Sequence, residues 1–307
     1  MDIEDRKIEI PQWYELDLEM TGKWDPLIDQ LVPAPPLMTE LSGPDLTLDS
    51  FDARLMAEKV SHDAVLGSRI LAVANSARFG LSQPMTSIQR AMVHLGFNMV
   101  RSVIMSYLLE NRFTKPIPVP AEHMRYIQQV TAGASVLAFR WGLATGLRDP
   151  STAATLALLG KIGSLLLGCA TPHPGESYRA MPTDVARINF EHDTWGVTNP
   201  TLGAELARRW DVPMPIPRLI ERIWEPLLKV VSPDPLDPDP PVLTLVAASL
   251  VVIDHYLRDS EQKPDAMLEA GDYKYLKHNL KSHKLDDSLA DVWVSAKVRK
   301  ELETVLE

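Results

Sequence analysis

The 307-residue chain is 45% hydrophobic and 23% charged, the balance of a globular protein long enough for two cored lobes, which excludes disordered and fibrous classes. A net charge of -10 opposes a chain built mainly to hold nucleic acid, since phosphate binding needs clustered Lys and Arg and no helix read below shows a sustained basic stripe. The one cysteine, Cys169, excludes a disulfide framework and fits a reducing cytoplasm, and the acidic start MDIEDRKIEI lacks the pattern of an export signal.

From Asp25 onward the apolar spacing is helical, so the expected fold class is all-α, in two lobes. Residues 1–24 read as an N-terminal extension. Asp25-Pro26 reads as a cap followed by proline at the first helical position, and residues 25–115 form the first lobe. Within it, helices are expected over Ser50–Val60, from Asp63 to Gly80, over Ser87–Leu95, and from Asn98 to about Phe113. TKPIPVP at Thr114–Pro120 cannot continue a helix and marks the lobe boundary.

The second lobe, residues 116–260, opens with a long helix from Glu122 to about Leu147 and then the most apolar run of the chain, Ala153–Ala170. That run is shorter than the roughly 20 apolar residues of a membrane span and carries Lys161 at its centre, so it reads as a core helix. Gly160 and Gly163 leave room there for a neighbouring helix to approach closely. A broken helical region is expected over Glu176–Asp193, then helices from Asn199-Pro200 and over Pro217–Trp224. KVVSPDPLDPDPP at Lys229–Pro241 reads as an extended loop that tolerates shortening. Pro241–Leu257 reads as a second apolar helix with Asp254 as its only acid, and residues 261–307 as a C-terminal extension with two more helical patterns.

Two strings carry a resemblance: AEKVSHDAVLGSRILAVANSARFG at Ala57–Gly80 and MTSIQRAMVHLGFNMVRSVIM at Met85–Met105. With ALLGKIGSLLL at Ala157–Leu167 and LGAELARRWDVP at Leu202–Pro213, the chain is similar to the HDOD family, the HD-related output domains of bacterial signalling proteins, over roughly Leu31–Leu257. The resemblance implies an N-terminal helical lobe and an HD-like helical lobe. In related HD phosphohydrolases a His-Asp doublet, further histidines and a late aspartate hold a metal. Here the doublet falls on Gly160-Lys161, the histidine positions fall near Gln129, on Asn199 and near Ile223-Trp224, and only Asp254 is kept.

One aspartate cannot assemble a hydrolytic metal site, and Lys161 sets a positive charge where the cation would sit. No catalytic residue, metal ligand or cofactor is therefore expected. His62-Asp63 and His192-Asp193 read as capping or solvent-facing doublets, and Asn75-Ser76 as an N-lobe motif whose side chains bond nearby backbone. Lys161 and Asp254 read as a buried ion pair; the sharper alternative is a vestigial pocket of Gln129, Lys161, Asn199 and Asp254 for a small anionic ligand or nucleotide. The expected function is a non-catalytic, cytoplasmic signalling module that binds signalling proteins, with nucleic acid and membrane disfavoured. The alternatives are a degenerate HD-type phosphodiesterase and a small-ligand or cyclic-nucleotide sensor.

Overall fold

The computed structural model describes residues 10–16, 18–30, 73–74, 76, 79, 88–96, 99–100, 102–103, 120–170, 178, 180–209, 215–232 and 236–306. The helices expected between residues 50 and 72, the His62-Asp63 doublet, Asn75, the Thr114–Val119 boundary and the Thr171–Gly175 break lie outside these residues. The chain divides into two units: one comprises Met1–Gln30, Pro118–Arg208 and Met214–Glu307, the other Leu31–Ile117 and Arg209–Pro213. No β-strand is present among the described residues, and the fold is all-α.

A 3-10 turn at Trp13–Glu15 precedes α1, Leu18–Gln30. The helix thus starts before the expected Asp25 cap and carries Pro26 in its interior. The hydrogen bond that Pro26 cannot donate to Gly22 is missing on a face where both residues are exposed and water can replace it, while Trp24 and Ile28 are fully buried on the other side. Burial of these two side chains, with a hydrogen bond from Thr201 Oγ1 to the Pro11 carbonyl (2.7 Å), explains why the first 30 residues join the larger unit.

In the smaller unit, α2 spans Ile88–Leu95 and ends at Gly96, whose φ of +74° suits glycine. The His94 ring meets Phe79 edge-on at 5.3 Å, and the Ser76 amide donates to the Val73 carbonyl (3.1 Å).

The larger unit is built on α3, Ala121–Ala144, which packs against α4, Pro150–Leu159. Gly146, at φ +70°, makes the reversal, and Asp149 caps α4 by accepting from the Thr152 amide (3.0 Å). The run expected as one helix breaks after Leu159 and resumes as α5, Gly163–Leu167. Across Gly160-Lys161-Ile162 the amides bond three residues back (Gly160 to Ala157, Ile162 to Leu159), the tighter 3-10 pattern. The break lets the chain pass two obstacles: a Cβ on Gly160 would lie 2.5 Å from Ile223 Cδ1, and one on Gly163 would lie 2.1 Å from the Asn199 carbonyl oxygen.

Next comes α6, Asp184–Trp195, a single helix where a broken region was expected. Thr183 Oγ1 accepts from the Ala186 amide (3.1 Å), and Gly196 at φ +68° ends the helix. Then follow α7, Asn199–Arg209; α8, Ile216–Glu221; and α9, Glu225–Leu228. The Lys229–Pro241 segment, expected to be dispensable, is anchored. Val231 is buried and its amide donates to Asn279 Oδ1 (3.0 Å), and Arg222 pairs with both Asp237 (2.7 Å) and Asp239 (2.9 Å).

The central helix α10, Pro240–Arg258, is long and apolar enough to cross a membrane by length and composition, yet Leu243 through Asp254 are all buried within the protein. After it come α11, Pro264–Met267; α12, Lys274–Ser282; α13, Leu289–Val294; and α14, Ala296–Leu306. These are no appendage, since α13 and α14 pack on α3 and α12 packs on α10. No sustained basic stripe was expected, and α12 carries a local basic patch, with Lys274, Lys277 and Lys281 sharing one face with His278.

Candidate functional site

Lys161 is only 4% exposed, held in the break between α4 and α5. Its ammonium donates to Asp184 Oδ1 (2.7 Å) and lies 5.2 Å from the centroid of the Trp224 ring. The partner is thus an acid at the start of α6, and the expected direct pair with Asp254 is not formed. Arg187, one turn along α6, joins the two carboxylates: its Nη1 is 3.0 Å from Asp184 Oδ1 and 3.0 Å from Asp254 Oδ2. Asp254 itself has no exposed surface. Its Oδ1 accepts from the Tyr126 hydroxyl and its Oδ2 from Arg258 Nη2 (2.5 Å).

The result is a chain of alternating charge, Lys161, Asp184, Arg187, Asp254, Arg258. Burial alone would push the Asp184 carboxyl up, but Lys161 and Arg187 overcome it and hold it below the ordinary carboxylate range. Burial likewise disfavours the charged form of Arg187, and Asp254 and Asp184 reverse that, holding its guanidinium charged. Tyr126 moves the other way: burial first, then the Asp254 charge, raise its hydroxyl well above its usual range. Asp184 Oδ2 has no hydrogen-bond partner among the described residues.

Beside this chain sits a second buried carboxyl, Glu191, pushed up to about 7 by burial, which the hydrogen bonds from Tyr178 and Asn199 only partly offset. The Tyr178 hydroxyl donates to Glu191 Oε1, and the Asn199 amide donates to Oε2 (2.7 Å). The Asn199 side chain is fully used in joining helices. Its Oδ1 accepts from the Ser164 amide (2.8 Å) and hydroxyl (3.1 Å), and its Nδ2 donates to the Gly160 carbonyl (2.9 Å). His123 Nε2 donates to the Ser164 carbonyl (2.8 Å).

The structure therefore brings Lys161 and Asp254 into one cluster through Asp184 and Arg187, sets Asn199 beside it as a helix clamp, and sends Gln129 elsewhere. Gln129 Nε2 donates to the Leu306 carbonyl (2.6 Å), fixing α14 to α3. Asp184, Arg187 and Glu191 went unrecognised in the sequence. The available signal was the i, i+3, i+7 spacing of these three charges with Ile188 and Trp195 on one helical face, after a Thr-Asp cap. His192 and Asp193 are solvent-facing and 3.4 Å apart. Burial raises the Cys169 thiol to about 11, so it is no ready nucleophile.

The HDOD domain family matches residues 33–226. The chain belongs to the HDOD family. An HDOD domain protein of unknown function from Geobacter sulfurreducens superposes with a TM-score of 0.65 at 17% identity, covering 94% of this chain and 97% of that one. A candidate phosphohydrolase from Shewanella amazonensis SB2B gives 0.63 at 21% identity over 94% and 98% of the two chains. A candidate signal transduction protein from Marinobacter aquaeolei VT8 gives 0.54 at 17% identity, over 94% of this chain and 63% of that one. These likenesses define the fold that this HDOD chain shares. No curated protein matches it.

A metal is the group that the resemblance to HD phosphohydrolases implies, and the residues present do not fit one. Among the described residues no three His, Cys, Asp or Glu side chains are grouped as ligands. At the position that the resemblance gives to the doublet stands an ammonium already paired with Asp184, and both Asp254 oxygens are taken by Tyr126, Arg187 and Arg258.

Proposed function

We propose that this HDOD chain is a non-catalytic, cytoplasmic signalling module that acts by binding partner proteins. The observation that carries the reading is the Lys161–Asp184 pair at 2.7 Å, inside a buried chain in which Lys161, Arg187 and Arg258 neutralise Asp184 and Asp254. A divalent ion there would be repelled by these cations and would have to strip Asp254 of its donors. The mutual pairing of these charges also makes the cluster a structural junction of the α4–α5 break with α6 and α10, which supports a module that presents surfaces to partners over one that turns over substrate.

The test is elemental analysis of the purified chain with phosphodiesterase assays in added manganese or iron, on the parent and on Gly160→His with Lys161→Asp. The expected result is no stoichiometric metal and no turnover in either. The variant should be the less stable, because a carboxylate at position 161 would face Asp184 in the core. Stoichiometric metal or metal-dependent turnover in the parent overturns the reading.

A further inference from the structure

On α12 the apolar side chains Leu276 and Leu280 and the amide of Asn279 are buried, while Lys274, Lys277, His278 and Lys281 fall within about one third of the helix circumference on the opposite side. Lys274, His278 and Lys281 are exposed, and Lys284, just beyond the helix, is exposed as well. The lysines of this face stand in a chain of net charge -10.

Helix stability does not account for it. Lys274 is the first residue of the helix, where the macrodipole disfavours a cation. Lys284 sits at φ +58°, a left-handed conformation that disfavours any side chain with a Cβ. Within the stripe Lys277 has an acidic partner, Glu269, at 2.6 Å.

We infer that the exposed face of α12 docks an acidic protein segment about two helical turns long, carrying carboxylates at i, i+3, i+4 and i+7. This rests on the partner-binding reading and names the surface and the partner's chemistry. The length follows from the boundaries: Glu269 and Asp272 lie in the chain just before the helix and Asp286 and Asp287 just after it. Acids flanking a stripe only about 10 Å long oppose a continuous polyanion such as a DNA backbone or an anionic membrane, which would run on past the lysines. A short acidic helix ends where the lysines end, and its carboxylates match the spacing of the three lysines and of His278, whose ring N–H can donate to the fourth.

The probe is a fluorescein-labelled helical peptide with glutamates at those four positions, titrated with the full chain by anisotropy at low and high salt. Its glutamine counterpart, a charge-swapped lysine peptide, a short DNA duplex and phosphatidylglycerol vesicles complete the set. Lys274→Glu with Lys281→Glu is the variant; it relieves one unfavourable helix-end charge and adds another, so the fold is kept, which circular dichroism verifies.

The expected result is that the glutamate peptide binds the parent, loses at least tenfold on the variant and on raising salt, and that the lysine peptide prefers the variant. No binding of the glutamate peptide, equal binding to parent and variant, or tighter binding of duplex or vesicles by the parent overturns the inference. The underlying reading fails separately, by metal-dependent phosphodiester turnover in the same preparation.

Discussion

Replacing Gly163 by alanine probes the close approach of α5 to α7. The added Cβ would lie 2.1 Å from the Asn199 carbonyl oxygen and 2.6 Å from the Gly203 nitrogen, both backbone atoms that no rotamer change can move. Restoring ordinary contact requires α5 and α7 to part by roughly 1 Å. Such a shift stretches the bonds from the Ser164 amide and hydroxyl to Asn199 Oδ1 (2.8 and 3.1 Å) and from Asn199 Nδ2 to Gly160 (2.9 Å) past useful length. Overpacking of about 1–3 kcal/mol and three buried hydrogen bonds at about 1 kcal/mol each, less about 1 kcal/mol gained by alanine in a helix, leave a loss of about 3–5 kcal/mol. The control is Gly22→Ala, an exposed helical site with nothing within 4 Å of its Cβ, where a gain of up to about 1 kcal/mol is expected. Urea unfolding followed by far-ultraviolet circular dichroism compares the midpoints at a common slope. A Gly163→Ala midpoint equal to that of the parent would refute the argument that this contact is rigid.

Glu191→Gln should change the pH dependence of stability. The native carboxyl, at about 7 against an ordinary 4.5, holds its proton where the unfolded chain has released it, so its contribution is full below about 4.5 and is lost as pH rises through 7. Up to about 3 kcal/mol is at stake; stability curves of parent and variant that run parallel from pH 5 to 8 would sink this assignment. Arg187→Met, which strips Asp184 and Asp254 of a shared cation, should cost about 3–5 kcal/mol in urea unfolding, and a change under 1 kcal/mol would show the cluster to be solvated. Lys284→Gly should raise stability by about 0.5–1 kcal/mol through relief of the left-handed backbone, a gain that a melting curve will confirm or deny. Deleting Ser232–Asp239 should lower the melting temperature by several degrees, since it removes Asp237 and Asp239 from Arg222; an unchanged value would make that anchorage inconsequential.

Where apolar periodicity is clean, the helices are legible in the sequence: α3, α7 and α10 lie within a few residues of expectation. Gly160 and Gly163 were also readable as close-approach positions, because a glycine in an apolar run has few other uses. The site was only half legible. Lys161 stands out as a charge among leucines, yet its partner does not, since α6 buries Asp184, Arg187 and Glu191 on its inner face. Charges on a buried face erase the hydrophobic period by which a helix is recognised, so the helix and its contribution to the site were missed together. Gln129 erred differently: correspondence with a ligand position gave it a place, whereas its neighbour in space is the Leu306 carbonyl, 177 residues away.

The anchoring of the last helices has a consequence for where this protein can be cut. The family-matched segment ends at residue 226, ahead of α10, and so leaves out Asp254 and Arg258, which complete the charge chain begun by Lys161. It also leaves out α14, whose Leu306 side chain and carbonyl meet α3 at Gly133 and Gln129, and whose Glu301 pairs with Arg140. A fragment 33–226 would bare the apolar faces of α3 and α4 and leave Arg187 half-neutralised in the core, conditions that favour aggregation. The segment that identifies the family therefore leaves out contacts that hold the larger unit together, from the Pro11 carbonyl at one end to Leu306 at the other.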